Sequence, residues 1–244
     1  MNQMMNLVLN ATGETLVMVF FSTIFSLILG LPLGVLLHVT SSEEQGGIIP
    51  KPLLNSVLGR IVNVLRSFPF IILMIILIPL SRLIVGTSIG TKATIVPLSI
   101  AAAPFVARII ESALKEVDPG VVQAAKAMGS TNAQIIFKVL LPEAMPSLVS
   151  GITLTIINLI GYSAMAGAIG GGGLGDLAIR YGYQRFRPSY MVAAVLVILV
   201  LVEVIQIVGN KLSARLLASR WKKNFAHILK KLDIEFQLKK SFLG

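Results

Sequence analysis

Few residues in this 244-residue sequence are of a type that does bond-making chemistry, and their spacing keeps them apart. Cysteine is absent, which excludes disulfides, thiol nucleophiles and cysteine-ligated metals. The two histidines, His38 and His227, lie far apart. Ser163 has a hydroxyl, but no histidine or lysine stands near it to take a proton, which argues against an intramembrane hydrolase. The five glycines within residues 169–176 are not a phosphate-binding loop, because no Gly-Lys-Ser/Thr follows them. The chain therefore reads as a non-enzyme that binds no cofactor or metal of its own. The informative spacing is mechanical: Gln123-Ala124-Ala125, three residues, Gly129, nine residues, Val139, one residue, then Leu141-Pro142.

That spacing sits in a polar interlude, residues 119–146, where Val121, Ala125, Met128, Ile135, Ile136 and Val139 recur at helical intervals between polar residues. Asp118 is a good N-cap ahead of Pro119, and Gly129 suits a left-handed stop. Thr131 and Gln134 match a capping box, and Pro142 is expected to punctuate the second helix. The prediction is a helix-turn-helix outside the bilayer. The pattern resembles the EAA loop of ATP-binding-cassette importer permeases, with Gln123 where glutamate is usual and Val139 where isoleucine is usual. The resemblance implies a short coupling helix that docks into a groove on a cytoplasmic ATPase.

The elements that must carry this loop are apolar. Hydrophobic residues make up 55% of the chain, which places it in the membrane class. Residues 16–38 are long enough for a first span, with Gly30-Leu31-Pro32 expected to bend it and His38 read as interfacial. Residues 39–52 read as a loop. The apolar run 68–80 is too short to cross alone, so the second span is expected to begin near residue 57 and to enclose Arg66 and Pro69. Arg66 is then either a pathway residue or an interfacial anchor. A turn over 82–92 leads to a third span over 93–110, interrupted by Pro97 and Pro104. The fourth, 148–168, is rich in small residues, including Ser163, with Met165 as the bulky exception, which either plugs a narrow pathway or fills an irregular gap. The glycines of 169–176 read as flexible backbone near an outer mouth. The fifth span, 191–209, carries Glu203 and Gln206 near its inner end.

The expected architecture is thus an all-α integral membrane protein with five transmembrane helices and a cytoplasmic coupling-helix loop. Residues 1–220 form the transmembrane domain, and 221–244 a basic cytoplasmic tail, either an amphipathic surface helix or disordered. The net charge of +10 does not indicate nucleic acid, because nine of the 21 Lys and Arg residues follow the last apolar segment. The first 15 residues hold no Lys or Arg, unlike the leading region of a signal peptide. Placing the N-terminus outside and the C-terminus inside puts sixteen of the 21 basic residues on the cytoplasmic side.

The resemblance extends over about 13–220. Asn63-Val64-Leu65-Arg66-Ser67-Phe68-Pro69-Phe70, Val85-Gly86-Thr87-Ser88-Ile89-Gly90 and Gly161-Tyr162-Ser163-Ala164-Met165-Ala166-Gly167-Ala168 are similar to the methionine-uptake branch of these permeases. That resemblance implies a homodimer in a bacterial inner membrane, working with two ATP-binding-cassette subunits that hold ATP and Mg, and with an external substrate-binding lipoprotein. It implies import of D- and L-methionine or close analogues, with Met165 matched to the side chain associated with closing the pathway; Ser163 and Arg66 are the further pathway candidates. The competing class is an ATP-independent small-solute carrier or channel. Charged residues at mid-bilayer depth would support it, and Glu203 and Arg66 are the candidates.

Overall fold

The structure is a computed structural model that describes the backbone of residues 2–242 and the side-chain surroundings of residues 3–219. All regular structure in the described residues is helical. Helix α1, Asn2–Val39, begins well before the apolar run that predicted it. The physical reason is tertiary: Val8 and Ala11 are buried against Leu174, Leu177, Tyr190 and Ala194, which extends the helix beyond the hydrophobic stretch. A loop with a 3-10 turn at Glu43–Gln45 follows.

The expected second span is two helices, α2 (Pro52–Ser67) and α3 (Phe70–Val85), bent by 101° at the intervening residues. Proline restricts the residue before it to extended conformations, and Phe68 is held at φ −66°, ψ 130° ahead of Pro69. Among the described residues, four helices are therefore long and apolar enough to cross a membrane, or five if the bent pair counts as one span. The turn expected over 82–92 shrinks to residues 86–90, since Arg82 lies in the last turn of α3 and α4 (Thr91–Lys115) starts before Lys92.

Helix α4 is the centre of the bundle. Its prolines 97 and 104 sit inside a continuous, deeply buried helix. Along α1 the close approach is set by glycine: a Cβ at Gly30 would lie 2.7 Å from the Ala103 carbonyl oxygen, and one at Gly34 2.6 Å from that of Ala107. No larger residue fits without separating the helices.

After α5 (Pro119–Ala127) the chain turns into α6, Asn132–Gly167. Here the structure corrects the sequence reading, because Pro142 does not end a helix. Residues Ile135–Leu140 widen to π-helical geometry and run straight into the span. The Leu141 N–H bonds the Ile136 carbonyl, one residue farther back than in an α-helix, which accommodates a proline that lacks an N–H and would crowd the preceding turn. Short α7 (Gly173–Asp176) continues as a π-helical segment, Leu177–Tyr183, and α8 spans Pro188–Phe242. The amphipathic pattern expected after residue 221 falls on side chains outside the described residues.

The glycine segment is pinned rather than loose. The Gly90 N–H donates to the Gly170 carbonyl at 2.9 Å, and the Gly173 and Leu174 N–H groups donate to Glu14 Oε2 and Thr15 Oγ1 at 2.7 and 2.9 Å. These bonds fasten the far end of α1 to the start of α7. Arg180, expected in a loop, lies in the π-helical segment and pairs with Asp176, which raises its already high pKa.

Candidate functional site

At one end of the bundle the interlude forms the predicted helix-turn-helix. Asp118 Oδ1 accepts from the Gly120 N–H at 2.7 Å and caps α5. At the far end Gly129 takes φ +80°. Its N–H donates to the Lys126 carbonyl at 2.9 Å, while that of Ser130 reaches the Ala125 carbonyl at 3.1 Å. Together these make the double bond pattern of a glycine-terminated helix. Two residues on, the Thr131 N–H donates to Gln134 Oε1 at 2.9 Å and the Gln134 N–H to Thr131 Oγ1 at 3.3 Å, completing the capping box.

The face that α5 buries differs from the expected one. Val122 and Ala125 turn inward and join Val39, Ile48, Leu114, Ile135 and Leu140 in an apolar core. Val139 and Leu141 are partly buried against that core. Gln123, Ala124 and Lys126 are exposed, as are Pro142, Val121 and, 80% exposed, Met128. The adjacent alanines thus have opposite jobs: Ala125 lets α5 lie close to its own bundle, and Ala124 faces out. Phe137, 67% exposed, adds a second outward apolar side chain that the sequence reading missed. Its signal was there: it falls out of phase with Ile135 and Leu140, both wholly buried.

A charge cluster ties α4 to the broken pair. Glu111 accepts from Arg108 at 2.6 Å and pairs with Lys115 at 2.8 Å. Arg108 Nη2 also donates to the Gly59 carbonyl and to Asn63 Oδ1, both at 2.9 Å. His38 is buried at this end, 2% exposed and under the Gly46 turn.

The three pathway candidates do not converge. Met165 is 49% exposed on an α6 stripe with Leu154, Asn158, Gly161 and Ala168. Ser163 lies on the opposite side, buried, with its hydroxyl donating to the Ile160 carbonyl at 2.8 Å. It offers no surface to a solute in this subunit. Arg66 stands apart from Met165, 6.0 Å from the centre of the Phe105 ring. A cavity of about 290 Å³ lies between α2, α3, α4 and α6, lined by Arg66, Phe70, Phe105, Asn158 and Tyr162. Glu203 is exposed, and Gln206 donates to Asn210 Oδ1 at 2.8 Å.

A bundle of bent, glycine-packed spans carrying a capped helix at one polar end, with no catalytic grouping among the described residues, defines a transport subunit. Residues 30–218 match the family described as binding-protein-dependent transport system inner membrane component, and the chain belongs to that family. It is a multi-pass protein of the inner membrane and not an enzyme. Among its relatives is the probable D-methionine transport system permease protein MetI of Vibrio cholerae, 52% identical over 86% of this chain and 92% of that one. The methionine import system permease protein MetP of Bacillus subtilis is 48% identical over 82% of this chain and 89% of its own length. The fold superposes on a chain of the MetNI methionine ABC transporter in an inward-facing conformation. The TM-score is 0.85 with 47% identity, covering 88% of this chain and 99% of that one. At 23% identity, a chain of an amino acid ABC transporter with histidines shares the fold, with a TM-score of 0.65.

Proposed function

We propose that two copies of this chain form the membrane pathway of an ATP-driven importer of methionine, D or L, or of close analogues. Two ATP-binding-cassette subunits carry ATP and Mg on the cytoplasmic side, and an external substrate-binding lipoprotein delivers the solute. The N-terminus lies outside and the C-terminus inside, the arrangement that sets the coupling end and most basic residues beside the anionic inner leaflet. No nucleic acid takes part.

The observation that carries this reading is α5. Its inner face is locked into the bundle while Ala124, Met128 and Lys126 face out, so a push on that face must move the spans below it. Helix α6 transmits it directly, because the second arm of the turn is the same helix that bears Met165. Two copies give the two-fold dock that a closing ATPase pair requires, and a rigid-body switch follows. Met165, on the exposed stripe of α6, is the side chain that narrows the route between copies. The test is radiolabelled methionine uptake by proteoliposomes holding permease, ATPase and binding protein. Uptake that requires both ATP and the binding protein is expected; uptake without ATP would make the chain an ATP-independent carrier.

A further inference from the structure

We propose that Arg66, Asn158 and the stacked rings of Phe70 and Tyr162 form a transient station for a zwitterionic amino acid with an apolar side chain. This rests on the reading of the chain as part of an amino-acid importer. That reading supplies a route through the subunits but not the side chains that hold the solute on it.

The depth of the site is the first argument. Phe105, which Arg66 faces, lies ten residues from the Lys115 end of α4 and fourteen from its Thr91 end. At the rise of an α-helix those are about 15 and 21 Å, so the guanidinium stands beside the middle turns of α4 rather than at either end of that helix. An arginine held there without a partner is costly, and such residues mark solute routes.

The second argument is which cation is free. Arg108, the neighbouring arginine, is occupied by Glu111, Asn63 and the Gly59 carbonyl. Among the described residues no carboxylate pairs with Arg66, and its recorded contact is the Phe105 ring. Its donors remain open to a carboxylate, which a planar guanidinium binds with two parallel hydrogen bonds.

The third argument is the chemistry of the walls. Across the cavity of about 290 Å³, Asn158 is exposed and its amide makes no hydrogen bond to a described residue. Its carbonyl oxygen can accept from an α-ammonium group. The Phe70 and Tyr162 rings, 4.3 Å apart between centroids, and Phe105 supply apolar faces, the setting a thioether or branched aliphatic chain prefers. Arg66 and Phe105 also line a second cavity, of about 380 Å³, which reaches the paired Arg108, Glu111 and Lys115 and the Ser112 hydroxyl at the coupling end. Arg66 is thus shared by two chambers in series, placed to pass a carboxylate from one to the other.

The experiment uses the full complex of permease, ATPase and binding protein in proteoliposomes, with labelled methionine as probe and ATPase activity measured in parallel. Arg66→Gln is expected to lower uptake about ten- to a hundredfold, the range for a lost hydrogen bond to a charged group, while binding-protein-stimulated ATPase activity is retained. Arg66→Lys should recover part of the uptake, since it keeps the charge but not the fork. Asn158→Leu, which leaves the charge in place, should lower uptake about tenfold and decides the matter if Arg66→Gln fails to assemble. Wild-type uptake in both variants, or a parallel loss of uptake and ATPase activity, overturns the station. Full function of Arg66→Lys together with Arg66→Gln defective only in membrane insertion also overturns it, because that is the behaviour of an interfacial anchor. A wild-type complex that imports a different apolar amino acid, with the same sensitivity to Arg66→Gln, would defeat the methionine assignment and support the station. One that imports no amino acid defeats both.

Discussion

The Tyr162 ring lies flat on that of Phe70, with centroids 4.3 Å apart and planes 5° from parallel. This stack joins the first turn of α3, immediately after the 101° break, to the C-terminal part of α6. The bend is therefore held by a contact between residues that are distant in sequence, and a movement of α6 is felt where the broken pair turns.

Removing the ring and removing the hydroxyl should have different consequences. Tyr162→Leu is expected to lower stability by about 1 kcal/mol beyond its loss of buried area, whereas Tyr162→Phe should stay within about 0.5 kcal/mol, because the contact is between ring faces. Thermal unfolding of the detergent-solubilised subunit checks this. Equal losses in the two variants would show that the hydroxyl, not the stack, does the holding.

The two adjacent alanines of α5 separate cleanly. The sequence contains no cysteine, so single-cysteine variants can be labelled without background. Ala124→Cys should react rapidly with a maleimide in the isolated permease and become protected when the ATPase is bound. Ala125, 3% exposed, should give a cysteine that reacts slowly in either state. Fast labelling at 125 would place the inner face of α5 elsewhere.

Gly129 is required by its backbone, not by crowding. At φ +80° a Cβ meets no atom within 4 Å, so the penalty of substitution is conformational, about 1–2 kcal/mol for a β-branched residue and less for asparagine. Gly129→Val is expected to insert normally but to lose the coupling of ATP hydrolysis to uptake, and Gly129→Asn to keep most of it. Paired ATPase and transport assays measure the ratio.

Glu111 is the acceptor that holds Arg108 and Lys115, and through Arg108 the link from α4 to Gly59 on α2. Its carboxylate is 7% exposed, but the partners are 26% and 38% exposed, so solvent screens part of the interaction. Glu111→Gln should cost about 1–2 kcal/mol after that discount. A thermal shift confined to low salt would mean that the pairs are mainly surface electrostatics.

Reading the sequence located what depends on neighbours a few residues apart. The Asp118 cap, the Gly129 stop and the Thr131–Gln134 box were legible, because each is satisfied by atoms within one or two helical turns. That Pro142 is absorbed by a π-helical turn was not, since a proline at that position equally suits a helix end.

What only the tertiary structure decided involves partners far along the chain. The spacing put Ala125 on the apolar face but put Val121 and Met128 there too, and only packing shows that Val122 and Ala125 turn in while those two face out. Nor could residue types alone show that the glycine segment is tied to Glu14 and Thr15, each 159 residues from its partner, or that Arg108 is paired with Glu111 while Arg66 pairs with no carboxylate among the described residues. The sequence by itself determined a membrane subunit with a capped lever at its basic end. The bundle decided which surface of that lever stays exposed and which arginine is engaged by its neighbours, because burial and pairing are settled only when distant helices pack against one another.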